Sequence, residues 1–171
     1  LDKTTKNHIN NIMTQHTVLI LGIGNNLLTD EGIGIHAITA LIPDLGQAEH
    51  IRLLDGGTLS FTLAAEIESV NHLIVIDAAQ LNSPPGTVKI FNNDAMDHFL
   101  GHSKRSVHEV GLLDLMDIAR LTDHLPEQRT LIAVQPEILT WGEQLTPAAA
   151  SALPTIISAV KKQLQQWSIP L

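Results

Sequence analysis

The chain has 171 residues, 44% of them apolar and 3% aromatic, with 10 Lys and Arg against 18 Asp and Glu for a net charge of −8. That length holds one domain with a real core. The acidic balance and the scarcity of rings argue against nucleic acid, which needs clustered cations and stacking platforms. No run reaches the roughly 18–20 apolar residues of a membrane span, so no membrane insertion is expected. The absence of cysteine excludes disulfides and thiolate metal sites and suits a cytoplasmic setting.

Leu1–His16 is polar and aperiodic, with no signal-peptide core, and reads as a disordered or tag-like extension ahead of a single domain over 17–171. Residues 17–23 form the first predicted strand, and Gly32–Ile42 the first helix, ended by Pro43. Ile51–Leu54 is a second strand closing on Asp55-Gly56-Gly57. Thr58 is placed to cap a helix from Leu59 to Val70, with Glu66 and Glu68 on its wet side. Leu73–Ile76 is a third strand ending at Asp77. Asn82–Gly86 is a turn, and Thr87–Phe91 a short β segment with hairpin-like edge pairing. Asn92–Arg105 reads as loose, with one helical turn over Ala95–Leu100. Ser106 and Glu109 have capping-box spacing for a helix to Leu121. Leu131–Val134 is the last strand, and Thr146-Pro147 starts a final helix that Pro154 should kink. Buried strands alternating with helices specify a single-domain three-layer α/β/α fold around a mostly parallel, about five-stranded twisted sheet.

The stretch GIGNNLLTDEGIG (22–34) follows the first strand where a phosphate cradle would stand. Its Asp30-Glu31 pair repels a phosphate and attracts a cation. In open α/β sheets the ligand crevice lies beyond the carboxyl ends of the strands. Glu31, Asp55 and Asp77 follow or end three successive strands and so belong to one edge. Any one of them alone reads first as a cap of the next helix, and it is three at successive strand ends that favour a site. Carboxylates alone suit Mg²⁺ or Ca²⁺, and a histidine shifts the preference to a transition metal. Most of the nine histidines have bland placements. His36 is about 140° around its helix from Glu31, and His50 and His72 sit at strand starts. His98, His102 and His124 look solvated. His108 lies in the first turn of a predicted helix, where the helix dipole favours the neutral imidazole that a metal requires. No G-x-S-x-G elbow or Cys nucleophile exists, and Leu112 stands where H-E-x-x-H needs its second histidine. Without a third glycine in 22–27, the dinucleotide reading is weak.

GIGNNLLTDEGIG (22–34), LLDGGT (53–58), LIVIDA (73–78), PPGTVKIF (84–91), SVHEVGL (106–112), VQPE (134–137) and LTPA (145–148) together resemble the nickel–iron hydrogenase maturation endopeptidases over residues 17 to about 165. The resemblance implies a protease that removes a C-terminal peptide from the nickel-loaded precursor of the hydrogenase large subunit. It implies metal ligation by Glu31, Asp77 and His108, and a part in activity for Asp55. Nickel would come mainly with the precursor, and no organic cofactor is implied. The catalytic set expected is Asp55, Glu31 and Asp77. Gly32 and Gly34 are read as clearance for a substrate backbone, with tight internal packing as the other reading. Asn25 either positions that backbone or stabilises its own turn. The competing readings are a non-proteolytic nickel-binding or delivery module and a nucleotide-binding α/β domain.

Overall fold

A computed structural model of the chain describes residues 18–102 and 107–171, and of residues 107–110 it describes the helical backbone alone. The expectations for Leu1–His16 and for the Ser106 cap lie outside the described residues. In chain order the elements are β1 (Val18–Gly22), a 3-10 turn (Thr29–Gly32), α1 (Ile33–Leu45), β2 (Ile51–Asp55), α2 (Leu63–Glu68), β3 (His72–Ala78), β4 (Val88–Asn92), α3 (Asp94–His102), α4 (Val107–Leu121), β5 (Gln128–Val134) and α5 (Pro147–Gln166). The sheet order is β2-β1-β3-β5-β4. Every pairing is parallel except β4 with β5.

Strand alternation divides the core into two layers. Val18, Ile20, Ile74, Ile76, Ile132 and Val134 face one side, under α1 and α5. Leu19, Leu21, Leu73, Val75, Leu131 and Ala133 face the other, under α2, α3 and α4. Apolar residues on both faces of the central strands are what a covered parallel sheet requires. The expected three-layer α/β/α fold with five strands is the observed one.

The departures have local causes. Pro43 does not end α1. It falls in the exposed last turn, where its ring is tolerated, and Gly46 N–H closes the helix on the Ile42 carbonyl. Thr58 is not a cap, because Gly57 and Leu59 take left-handed φ of 52° and 62°, and α2 begins only at Leu63. β4 is an antiparallel edge strand as expected, but its partner is β5 rather than β3, so no hairpin forms. The region expected to be loose forms α3. Met96 and Leu100 are buried there, and Phe99 stacks on Phe91 with ring centroids 4.3 Å apart. Asp97 takes a two-pronged ion pair from the buried Arg129 of β5, at 3.0 and 2.7 Å. β3 and β5 are each longer than their apolar runs suggest, beginning at His72 and Gln128. Thr146 caps α5 as expected, accepting from Ala149 N–H at 3.2 Å, and the helix runs through Pro154 as one element.

Helix α1 sits unusually close to the sheet at Gly34. A Cβ there would lie 2.3 Å from the Ile23 carbonyl oxygen and 2.4 Å from that of Ile76. Both contacts are backbone and cannot yield. Gly34→Ala should therefore lower the unfolding free energy by about 3 kcal/mol. Gly101→Ala, at a helical position with open space around it, should leave stability unchanged or raise it by up to about 1 kcal/mol. Chemical denaturation of the two variants checks the contrast.

Candidate active site

The strand order reverses between β1 and β3: the chain leaves β1 for β2 on one side and returns past β1 to β3 on the other. In open α/β sheets a crevice forms at such a switch point, beyond the carboxyl ends of the strands. The loop after β1 carries Glu31, and the penultimate residue of β3 is Asp77. The 3-10 turn holding Glu31 packs against β3. The two acids thus border the switch point from its two strands.

Asp77 is 1% exposed. Alternation along β3 puts it on the side of Leu73 and Val75, the layer covered by α4. Keeping a carboxylate in that layer costs desolvation. His108 lies in the first turn of α4, and its side chain lies outside the described residues. Because α4 leads back to the start of β5, which is parallel to β3, its first turn lies toward the carboxyl edge, on the side Asp77 faces. Among the described residues no three His, Asp or Glu side chains gather as a metal site. Asp55 therefore does not complete such a group with Glu31 and Asp77.

Asp55 stands at the same edge, in register with Gly22 of β1. It is exposed, and its Oδ1 accepts from Gly57 N–H at 2.8 Å. That bond shapes the Gly56-Gly57 turn and engages only Oδ1. Strand parity places Asp55 with Leu53, on the opposite face of the sheet from Asp77.

The residues expected to position a substrate have internal duties. Asn25 Oδ1 accepts from Leu27 N–H at 3.0 Å, and its carbonyl accepts from Leu28 N–H at 3.0 Å. It stabilises its own turn. Gly32 and Gly34 are buried, and the close approaches they permit are to this chain's own backbone: Asn26 Cα would lie 2.8 Å from a Cβ on Gly32. Internal packing accounts for both glycines.

The Asp30-Glu31 pair does not act as a pair. Successive residues of a 3-10 turn diverge by about 120°. Asp30 is 1% exposed and turns inward, whereas Glu31 is only partly buried. The Asp30 carboxylate accepts four hydrogen bonds from the segment after β5. Oδ1 takes Thr146 N–H at 2.8 Å, and Oδ2 takes Glu137 N–H at 2.8 Å, Thr146 Oγ1–H at 2.9 Å and Ile138 N–H at 3.3 Å. Of the two acids, Asp30 is the one taken up by this network. No local sequence signal marked the role of Asp30, because its partners lie as far as 116 residues further along the chain.

Comparison with known proteins decides the family. Residues 35–163 match the family model HycI, hydrogenase maturation protease. The chain belongs to that family. This maturation protease is 33% identical over 153 residues to the hydrogenase 2 maturation protease of Escherichia coli K12, covering 89% of this chain and 93% of that protein. It is 36% identical over 153 residues to the hydrogenase expression/formation protein HupD of Rhodobacter capsulatus, covering 89% and 73%. Its fold matches that of the hydrogenase maturating endopeptidase HybD from E. coli with a TM-score of 0.80 at 32% identity, covering 88% and 93%. It is an endopeptidase, and the stretch matched by the family model contains Asp55, Asp77 and His108.

Asp30→Ala would strand the Thr146, Glu137 and Ile138 amides beside an apolar gap. The unfolding free energy should fall by about 3–5 kcal/mol in urea titration. A loss below about 1 kcal/mol would contradict the structural role of this carboxylate.

Proposed function

We propose that this maturation protease is a nickel-dependent endopeptidase that removes a C-terminal peptide from the nickel-loaded precursor of the nickel–iron hydrogenase large subunit. The reading is supported chiefly by the two acids bordering the β1/β3 switch point, Glu31 and Asp77, with the helix carrying His108 in its first turn on the side Asp77 faces. Two carboxylates and one imidazole fit a borderline transition metal and leave coordination positions open. Nickel held by the precursor's own ligands would bring the scissile segment to the carboxyl edge and position it there. Glu31, Asp77 and His108 would engage that nickel, and no organic cofactor takes part.

Hydrolysis then requires a water to add to the scissile carbonyl carbon while a base accepts its proton. Asp55 is suited to that role by its exposure at the edge and by Oδ2, since Oδ1 is occupied by Gly57 N–H. The same proton passes to the departing amine as the C–N bond breaks. Positioning contributes the larger share, because a bound, aligned substrate converts a bimolecular step into an effectively unimolecular one. The reaction takes place in the cytoplasm, before the large subunit closes over its metal.

Incubation with nickel-loaded and nickel-free precursor, read by mass spectrometry of the large subunit, tests this reading. Only the nickel-loaded form should lose mass. An unchanged mass in both would leave a non-proteolytic nickel-binding role. Glu31→Ala, Asp77→Ala and His108→Ala should each reduce processing by at least about a hundredfold without unfolding the domain. Asp55→Asn should lower kcat with little effect on precursor binding.

A further inference from the structure

Among the described residues nine large apolar side chains are exposed, and five of them, Leu27, Phe61, Ile138, Leu139 and Trp141, occupy loops after β1, β2 and β5. All five therefore stand at the carboxyl edge that carries Glu31, Asp55 and Asp77. Four belong to two loops that are stitched together. Gly142 N–H donates to the Leu27 carbonyl at 2.9 Å, and Thr29 N–H donates to the Gly142 carbonyl at 2.7 Å. Leu28 and Gly142 form a parallel bridge. The Asp30 carboxylate grips the Glu137 and Ile138 amides from below.

Trp141 is 82% exposed and Leu139 52%, with Leu27 at 45% and Ile138 at 43%. A cluster of this kind on a hydrogen-bonded frame is unusual for a surface that meets only water. Trp and large aliphatic side chains are the residues that anchor protein interfaces. Because the frame is already fixed, seating a partner there loses little further loop entropy. The loops that carry these side chains hold charge of one sign. Glu31, Glu137 and Glu143 belong to them, and residues 23–32, 55–62 and 135–146 contain no Lys or Arg.

We propose that Leu27, Ile138, Leu139 and Trp141 form a docking platform for the folded body of the large-subunit precursor, met by an apolar patch bordered by Lys or Arg. The inference rests on the proposed function and extends it. The tail to be cut supplies the scissile bond, and the platform supplies affinity for the protein that carries the tail. Leu27 lies four residues before Glu31, and Ile138 N–H is bonded to Asp30, the neighbour of Glu31, so a seated precursor would be held with its tail at the carboxyl edge. A second copy of this chain is a poor occupant. Two such faces would bring acidic loops together on chains that each carry −8.

The test is steady-state processing of purified nickel-loaded precursor by the full chain, with the Leu139→Ala/Trp141→Ala double variant beside wild type. KM should rise about tenfold or more while kcat stays within about twofold. Glu137→Gln/Glu143→Gln should flatten the rise of KM with salt. Trp141→Lys, which removes no buried contact, should raise KM in the same way and guards against misfolding of the double variant. An unchanged KM in all three, with wild type active, would overturn the platform and leave the protease reading intact. Sedimentation velocity showing a wild-type dimer that Trp141→Lys dissociates would also overturn it, by making a second copy the occupant. If wild type does not cut the precursor, calorimetric binding separates the two ideas. Affinity lost in the platform variants supports docking without proteolysis, and no binding by wild type overturns both.

Discussion

One buried carboxylate holds the carboxyl edge of this molecule in shape. Asp30 joins the turn after β1 to the segment between β5 and α5, reaching as far as Thr146, 116 residues further along the chain. A carboxylate so nearly excluded from water is tolerable only when its oxygens are fully bonded. Two of its four donors come from Thr146, the residue that also caps α5. The same hydroxyl that donates to Asp30 accepts from Ala149, so the start of α5 and the 3-10 turn are set by one network. Loops are the mobile parts of most α/β domains. Here the loops after β1 and β5 are fastened to each other and to a helix start.

That fastening has a consequence for chemistry. With Asp30 turned inward, its neighbour Glu31 is directed away from the interior by the pitch of a 3-10 turn. Gly34 brings α1 down onto β1 and β3, and the turn ahead of it is drawn against β3. Asp77 then approaches the same crevice from within the sheet, on the side covered by α4. The protease thus sets acids from two strands around the point where the strand order reverses, and the interior network holds the turn that carries one of them. The exposed apolar residues of the same loops, Trp141 above all, are held by the same bonds. Site and platform share one support.

Much of this was legible in the sequence, for reasons that differ from residue to residue. The apolar runs at 18–22, 73–76 and 131–134 report burial on both faces, and that fixed the layered parallel sheet. Asp55 and Asp77 were legible as edge residues because a strand end at the carboxyl side needs no tertiary information. Thr146-Pro147 was legible as a helix start because capping is local. The failures are tertiary. α3 depends on Arg129 of β5 reaching Asp97, and on Phe91 meeting Phe99, pairings that local pattern does not encode. The partner of β4 depends on β5, which comes later in the chain. The glycines at 32 and 34 look alike for substrate clearance and for internal approach, and only the positions of Asn26, Ile23 and Ile76 distinguish them. Asp30 and Glu31 look equivalent until a turn separates them.

That separation, with Asp30 supporting the edge and Glu31 serving the site, is the central claim. Amide hydrogen exchange of Asp30→Asn and Glu31→Gln tests it most directly. The Glu137, Ile138 and Thr146 amides should lose protection in Asp30→Asn and keep it in Glu31→Gln. Equal protection in both variants, or loss in Glu31→Gln alone, would contradict the division between the two acids.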